Sequence, residues 1–240
     1  MIKTAIVTGS AGGIGQAIVI NLREAGWRVV GLDLATTTAC DQSINVDLSD
    51  EVDRNRAFAE ISDPQTVAAV IHVAAIQDHG GVGELSASDW NRAFQVNVVA
   101  LDHVVGAHRE SLSANAGSVV AVSSVHSIST TPGIISYTAS KGALESWVRS
   151  AALEFGSSIT VNAVRPGAID SAKLQQGFSR WGDLAKEKLR NLTDRTPVGR
   201  LGKVNEVAEV CTFLVSENAR FITGSCITID GGATAKLATE

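Results

Sequence analysis

Proline and cysteine are scarce in this 240-residue chain, with four and three residues, and aromatic residues make up only 5% of it. Few prolines beside 22 glycines and 45% apolar residues suit one compact α/β domain over residues 1–240 better than two small ones. Cys40, Cys211 and Cys226 are odd in number, far apart and without Cys-x-x-Cys spacing, which excludes a disulfide framework and a thiolate zinc site. Charged residues reach 19% and the net charge is -5, so there is no field to hold a polyanion such as nucleic acid. Long apolar runs are missing too. The first, residues 4–8, is too short for a signal-peptide core or a membrane span, and a soluble, cytoplasmic protein is expected. His103 and His108 are five apart and fall on different helix faces, while His79 and His126 have no ligand at suitable spacing; no metal is expected.

What the chain does have is alternation. Short runs rich in Val and Ile, at 4–8, 28–32, 42–46, 68–74, 117–123, 160–165 and 225–229, read as strands buried on both faces. Between them, residues 15–25, 51–61, 87–112, 136–155 and 204–215 carry apolar side chains at helical spacing. The expectation is a single Rossmann-type doubly wound parallel sheet of about seven strands with helices on both faces. The connection at 34–41 is too short for a confident crossover helix, and residues 233–240 read as a tail. The stretch 171–201 loses β-character and reads as an inserted helical lid over a substrate site. Its cations outnumber its carboxylates, which fits either a lid that attracts an anionic substrate or a solvated helical surface. Phe178 and Trp181 read either as a pocket wall or as packing residues.

The first strand runs straight into Thr8-Gly9-Ser10-Ala11-Gly12-Gly13-Ile14-Gly15. Glycines at a strand-to-helix turn let backbone approach a pyrophosphate closely, and the helix N-terminus behind them supplies donors and positive potential. The spacing of Gly9, Gly13 and Gly15 is Gly-x-x-x-Gly-x-Gly, which makes a phosphate loop slightly longer than the Gly-x-Gly-x-x-Gly form. Asp33 closes the second strand 20 residues beyond Gly13, where a carboxylate accepts hydrogen bonds from adenosine ribose hydroxyls. No Lys or Arg stands in the glycine turn or at 34–38 to compensate a 2′-phosphate, so NAD is expected over NADP. Asp47, with Leu48 after the third strand, is a candidate neighbour of the adenine ring.

Tyr137 and Lys141 lie four apart in a helical run, hence on one face one turn apart. A phenol titrates near pH ~10 and is a poor base at neutrality, but a fixed cation beside it lowers that value, so the pair reads as an acid/base unit. Ser124 closes the fifth strand, where its hydroxyl is placed to donate to a carbonyl or alkoxide oxygen. Asn97 interrupts Val96, Val98 and Val99 with an amide; its alternatives are function or bonding to its own helix. His126, two residues after Ser124, is either at the mouth of a substrate pocket or a solvent-facing loop residue.

In this order and spacing, Asn97, Ser124, Tyr137 and Lys141 behind the Thr8 to Gly15 turn closely resemble the short-chain dehydrogenase/reductase family, over nearly the whole chain. Asn162, Arg165-Pro166-Gly167, Thr223-Gly224 and Ile229-Asp230-Gly231-Gly232 resemble its later landmarks. The resemblance implies a subunit, usually of a homotetramer, that moves a hydride between nicotinamide and a small-molecule carbonyl or secondary alcohol. It implies Tyr137 as acid/base and Ser124 as the holder of the substrate oxygen. Lys141 would bind the nicotinamide ribose, and Asn97 would fix a relay water. It also implies that Gly9, Gly13, Ile14, Gly15 and Ala74 line the cofactor, with Ile169 after Pro166-Gly167 orienting the carboxamide and Ser171 where the family commonly has threonine. One departure stands out. After the fourth strand the family often has Asn-Asn-Ala-Gly, and this chain has His72-Val73-Ala74-Ala75, which predicts a retuned cofactor pocket. A β-ketoacyl-thioester reductase and a non-catalytic nucleotide sensor are the alternative functions.

Overall fold

The computed structural model describes residues 2–179 and 181–236. Seven strands form one parallel sheet: β1 (Thr4–Thr8), β2 (Arg28–Asp33), β3 (Gln42–Asn45), β4 (Val67–His72), β5 (Ser118–Val122), β6 (Thr160–Pro166) and β9 (Cys226–Ile229). Their order is β3-β2-β1-β4-β5-β6-β9. Every neighbour pair is parallel, as the alternation of short apolar runs and helical segments predicts. Strand order reverses between β1 and β4, the place where an open α/β sheet leaves a crevice outside its carboxyl ends.

The period of two along each strand feeds two separate cores. Ile6, Val70, Val119, Ala121, Val161 and Ala163 point to one face, packing with Leu101, Val104, Leu144 and Val148. Ala5, Val7, Ile71, Val120, Val122 and Val164 point to the other, against Ile18, Leu22, Val207 and Leu214. The first face is covered by helices α2 (Glu51–Ala59), α3 (Ala87–Phe94), α4 (Ala100–Ala107), α5 (Arg109–Ala114) and α6 (Ile135–Phe155); the second by α1 (Gly13–Glu24) and α9 (Val204–Leu214). No helix joins β2 to β3, in keeping with the shortness of that link.

Two sequence expectations need correction. The single helix at 87–112 is divided: a π-helical turn at Gln95–Val99 separates α3 from α4, and His108, at φ -115 and ψ 16, separates α4 from α5. A π turn carries one more residue per hydrogen-bonded loop, so it re-aims the side chains it bears. Periodicity cannot register that, because Val96, Val98 and Val99 remain apolar on either count. The stretch 171–201 itself holds no strand among the described residues, as expected, but two short strands flank it. Strands β7 (Ile169–Asp170) and β8 (Gly202–Lys203) pair in parallel and tie together the two ends of the segment holding α7 (Ala172–Ser179) and α8 (Ala185–Arg195). Two-residue strands leave no periodic signal. Second, the fourth strand ends at His72, two residues short of the expected Ala74, because Thr8 draws the next amides away. Of the tail expected at 233–240, residues 237–240 lie outside the described residues, as does Arg180 of the cation-rich stretch.

Candidate active site

The glycine turn is built by close contact. Gly9 has φ +66, and a Cβ there would lie 2.6 Å from Ala74 N; a Cβ on Gly15 would lie 2.0 Å from Gly9 O. Both positions are therefore closed to any larger side chain. A Cβ at Gly13 would meet only ordinary contacts, 3.6 Å from Ser171 Cβ and from Val204. The first intrahelical hydrogen bond of α1 is Gln16 N to Gly12 O at 2.8 Å, so the amides of Gly13, Ile14 and Gly15 have no partner within α1. That is a donor set suited to a diphosphate, and it fits the dinucleotide expected from sequence. Asp33 closes over the turn: its Oδ2 accepts from Ala11 N at 2.9 Å and its Oδ1 from Ala35 N at 3.1 Å. Asp47 is exposed at the exit of β3, its Oδ1 accepting from the amide and hydroxyl of Ser49 at 2.8 and 2.7 Å. The Leu48 side chain is buried in the core, so only its backbone could face an adenine ring.

His72 replaces the brace that the family often builds with asparagine. Thr8 Oγ1 accepts from Val73 N (3.1 Å) and Ala74 N (3.2 Å), so its single proton goes to His72 Nδ1, 2.8 Å away. The ring is thereby assigned as the Nε2–H tautomer. Burial, with Lys141 nearby, lowers the imidazole to about 3, so it is neutral at pH 7. Ala74 is held against Gly9 by this arrangement.

Across the crevice, α6 carries Tyr137, Ser140, Lys141 and Glu145, at spacings of three, four and eight residues from the tyrosine and so along one helix face. Lys141 is almost wholly buried; its Nζ donates to Val122 O at 2.8 Å and sits 5.6 Å from the centre of the Tyr137 ring. Desolvation and the charge of Lys173 lower it to about 7, against a smaller opposing effect of Glu145. Tyr137 contradicts the sequence expectation in direction. Desolvation pushes its phenol above 10, and the Ser124 hydroxyl only partly offsets that. Burial penalises the phenolate more than its neighbours favour it, and the Lys141 ammonium is spent on Val122 O.

Ser124 is buried at the end of β5 and accepts from His126 N at 3.2 Å. The loop behind it is anchored by Ser127, whose hydroxyl lies 2.8 Å from Ser124 O and 2.5 Å from Glu145 Oε1. Glu145 is in turn held by Arg165, with Nη2 to Oε2 at 2.6 Å and Nε to Oε1 at 2.9 Å, and by Ser123 at 2.8 Å. Burial raises the Glu145 carboxyl, but Arg165, Ser127 and Ser123 outweigh it and hold the group below the usual carboxylate range. His126 is half-buried, its ring edge-on to Tyr137 with centroids 6.1 Å apart, so it packs beside the phenol and is not a fully solvent-facing loop residue.

Asn97 is fully buried in the π turn. Its Oδ1 accepts from Ile76 N at 2.9 Å, while Nδ2 donates to Ile76 O at 3.0 Å and Ser140 Oγ at 2.9 Å. The alternative of an amide spent on its own helix is thus excluded; it links the exit of β4 to α6. Ser140 Oγ, also bonded to Tyr137 O at 2.7 Å, was invisible as a site residue although its i+3 spacing from Tyr137 put it on the same face.

The remaining expected cofactor residues follow β6. Pro166 pairs with Ile229, and Gly167 N donates to Ile229 O at 2.9 Å, with no room for a Cβ against Asp230 (2.7 Å). Ile169 is buried in β7, and Ser171 stands at the start of α7 against Gly13. Asp47 too, two residues past the end of β3, lies at the carboxyl edge of the sheet. Sequence reasoning did not single out Glu145, or Lys173 beyond its place among the cations of 171–201. Among the described residues no three potential metal ligands cluster, and no helix is long and apolar enough to cross a membrane.

Comparison with known proteins gives the same class. The family profile described as Enoyl-(Acyl carrier protein) reductase matches residues 9–234. The chain is 30% identical over 247 residues to 3-oxoacyl-(acyl-carrier-protein) reductase FabG of Pseudomonas aeruginosa, covering 96% of each chain. It is 31% identical over 251 residues to cis-4-hydroxycyclohexanecarboxylate dehydrogenase of Sinomonas cyclohexanicum, covering 97% of each. The ligand-free structure of aldohexose dehydrogenase from Thermoplasma acidophilum superposes with a TM-score of 0.93 at 26% identity, covering 100% of this chain and 96% of that one. The chain belongs to the short-chain dehydrogenase/reductase family. It is accordingly an oxidoreductase, of a family that binds a nicotinamide cofactor, NAD or NADP.

Proposed function

We propose that this protein uses NAD to interconvert a secondary alcohol and a carbonyl, in a single domain whose segment 171–201 covers the substrate. The observation that carries the reading is the convergence of Tyr137, Ser124 and Lys141 beside the glycine turn. Tyr137 exchanges a proton with the substrate oxygen, and Ser124 holds that oxygen and stabilises charge on it. Bound nicotinamide supplies or accepts the hydride. Lys141 binds its ribose and, as a buried ammonium under the phenol, favours the phenolate; Asn97 and Ser140 fix the proton-relay side of the helix. NAD is favoured over NADP because the Asp33 carboxylate, held by Ala11 and Ala35, would repel a 2′-phosphate, with no Lys or Arg in 9–16 or 34–38 to compensate.

The β-ketoacyl-thioester reductase reading draws support from the similarity to the Pseudomonas enzyme. It is the second choice, since Asp33 disfavours NADPH. A nucleotide sensor would have no use for the four-residue centre. A cytoplasmic homotetramer completes the proposal, and light scattering tests the assembly.

Tyr137→Phe is expected to lower kcat by about 10³-fold in assays on an alcohol panel, with the NADH dissociation constant changed less than about twofold. Full turnover in that variant would reject the assigned role. Tyr137 is also the chain's one tyrosine, so its phenolate absorbance reports directly: a midpoint above 10 in the free protein that falls when NAD⁺ is added.

A further inference from the structure

Lys173 occupies a position that is unfavourable for a cation on two counts. It lies in the first turn of α7, where the helix dipole is positive. It is close enough to Lys141 to depress that ammonium, while the residue itself stays exposed at the mouth of the crevice. Against these stands one hydrogen bond, from Nζ to Ala75 O at 3.0 Å, and among the described residues it forms no ion pair. The same α7 turn carries Ser171, which rests 3.6 Å from the position of a Gly13 Cβ, while Ala74, next to Ala75, closes on Gly9. The Lys173 side chain therefore bridges the two lips of the crevice, from the start of α7 to the exit of β4, beside the glycine turn.

That turn offers neutral donors only. The amides of Gly13, Ile14 and Gly15 face a ligand that carries two negative charges if it is a dinucleotide diphosphate, and residues 9–16 include no Lys or Arg. We propose that Lys173 is the diphosphate-binding cation of this protein, held on Ala75 O in the free chain and transferred to the diphosphate of the bound dinucleotide, so that cofactor binding and closure of 171–201 are one event. This rests on the nicotinamide-dependent reading above. An ammonium exchanging a neutral carbonyl for an anion gains a charge-assisted bond, and the neighbouring positive charges that burden Lys173 in the free chain then favour the same anion.

The test is equilibrium binding of NADH, ADP-ribose and adenosine to the unaltered chain, Lys173→Met and Lys173→Arg, with folding checked by circular dichroism. Lys173→Met is expected to weaken NADH and ADP-ribose by about ten- to a hundredfold, corresponding to about 1.4 to 2.7 kcal/mol, and to leave adenosine unchanged. Lys173→Arg should keep the NADH affinity within about threefold, and the salt dependence of NADH binding should be shallower in the Met variant. Unchanged NADH and ADP-ribose affinity in Lys173→Met overturns the proposal. So does an effect confined to KM for a carboxylate substrate, which would give Lys173 to the substrate. If the unaltered chain bound no nicotinamide dinucleotide, the functional reading itself would fall, an outcome distinct from both.

Discussion

Helix α6 sinks Ser136, Ser140, Lys141, Leu144, Glu145, Val148, Ala151 and Ala152 into the molecule, whereas α7 and α8 bury no residue. The two sides of the same crevice are thus built by opposite means. On the α6 side each polar group of the centre is seated on a packed element and bonded to another: Lys141 to Val122, Asn97 to Ile76 and Ser140, and Glu145 to Arg165, Ser123 and Ser127. On the α7 and α8 side the contacts are surface ones, such as Lys188 over the Trp181 ring at 4.2 Å and Arg190 near Asp194 at 3.7 Å. Reacting atoms need fixed geometry, and a cover that admits and releases ligands needs a low cost of opening. Each side has the construction that suits the task proposed for it.

The comparison breaks most readily at Arg165. Arg165→Leu leaves the nearly buried Glu145 carboxylate with hydroxyl partners only, and is expected to cost about 3–5 kcal/mol in denaturant unfolding, with kcat falling because Ser127 and Ser124 lose their anchor. A loss below about 1 kcal/mol would show that this wall is not rigid in the sense argued.

His72 sharpens the same contrast through pH. Its folded value is about 3, below the ordinary 6.5, so between those limits the unfolded chain binds a proton that the folded chain does not. Its contribution is fully present above pH ~6.5 and is lost as pH falls, at a slope of about 1.4 kcal/mol per pH unit. Urea titrations from pH 6.5 to 4 should lose that slope in His72→Asn; an unaltered slope would mean that His72 is not the group responsible.

The smallest effect is expected on the segment proposed as a cover. Leu184 is exposed before α8, and Leu184→Ala should change unfolding free energy by no more than about 0.5 kcal/mol. A larger loss would place the cover in the cooperative core.

Legibility followed the range of the interactions. The seven strands were readable because a strand buried on both faces must be apolar along its length. The glycine turn was readable because contacts such as the 2.0 Å approach of a Gly15 Cβ to Gly9 O lie within a few residues. Asn97 was recognised as a polar interruption, but its two uses remained open, since its partners Ile76 and Ser140 are 21 and 43 residues away. The π turn, the short β7 and β8 pair and the Glu145 network gave no periodic signal at all.

The sequence by itself determined what is local or repetitive: the alternation that makes a doubly wound sheet, the glycines that close a turn on a helix N-terminus, and the spacing that puts Tyr137 and Lys141 on one face. Only the tertiary structure decided the sign of the Tyr137 shift and the reach of Lys173 to Ala75, 98 residues away. The reason is that desolvation sums over everything packed around a group, so no window of sequence holds the atoms that set it.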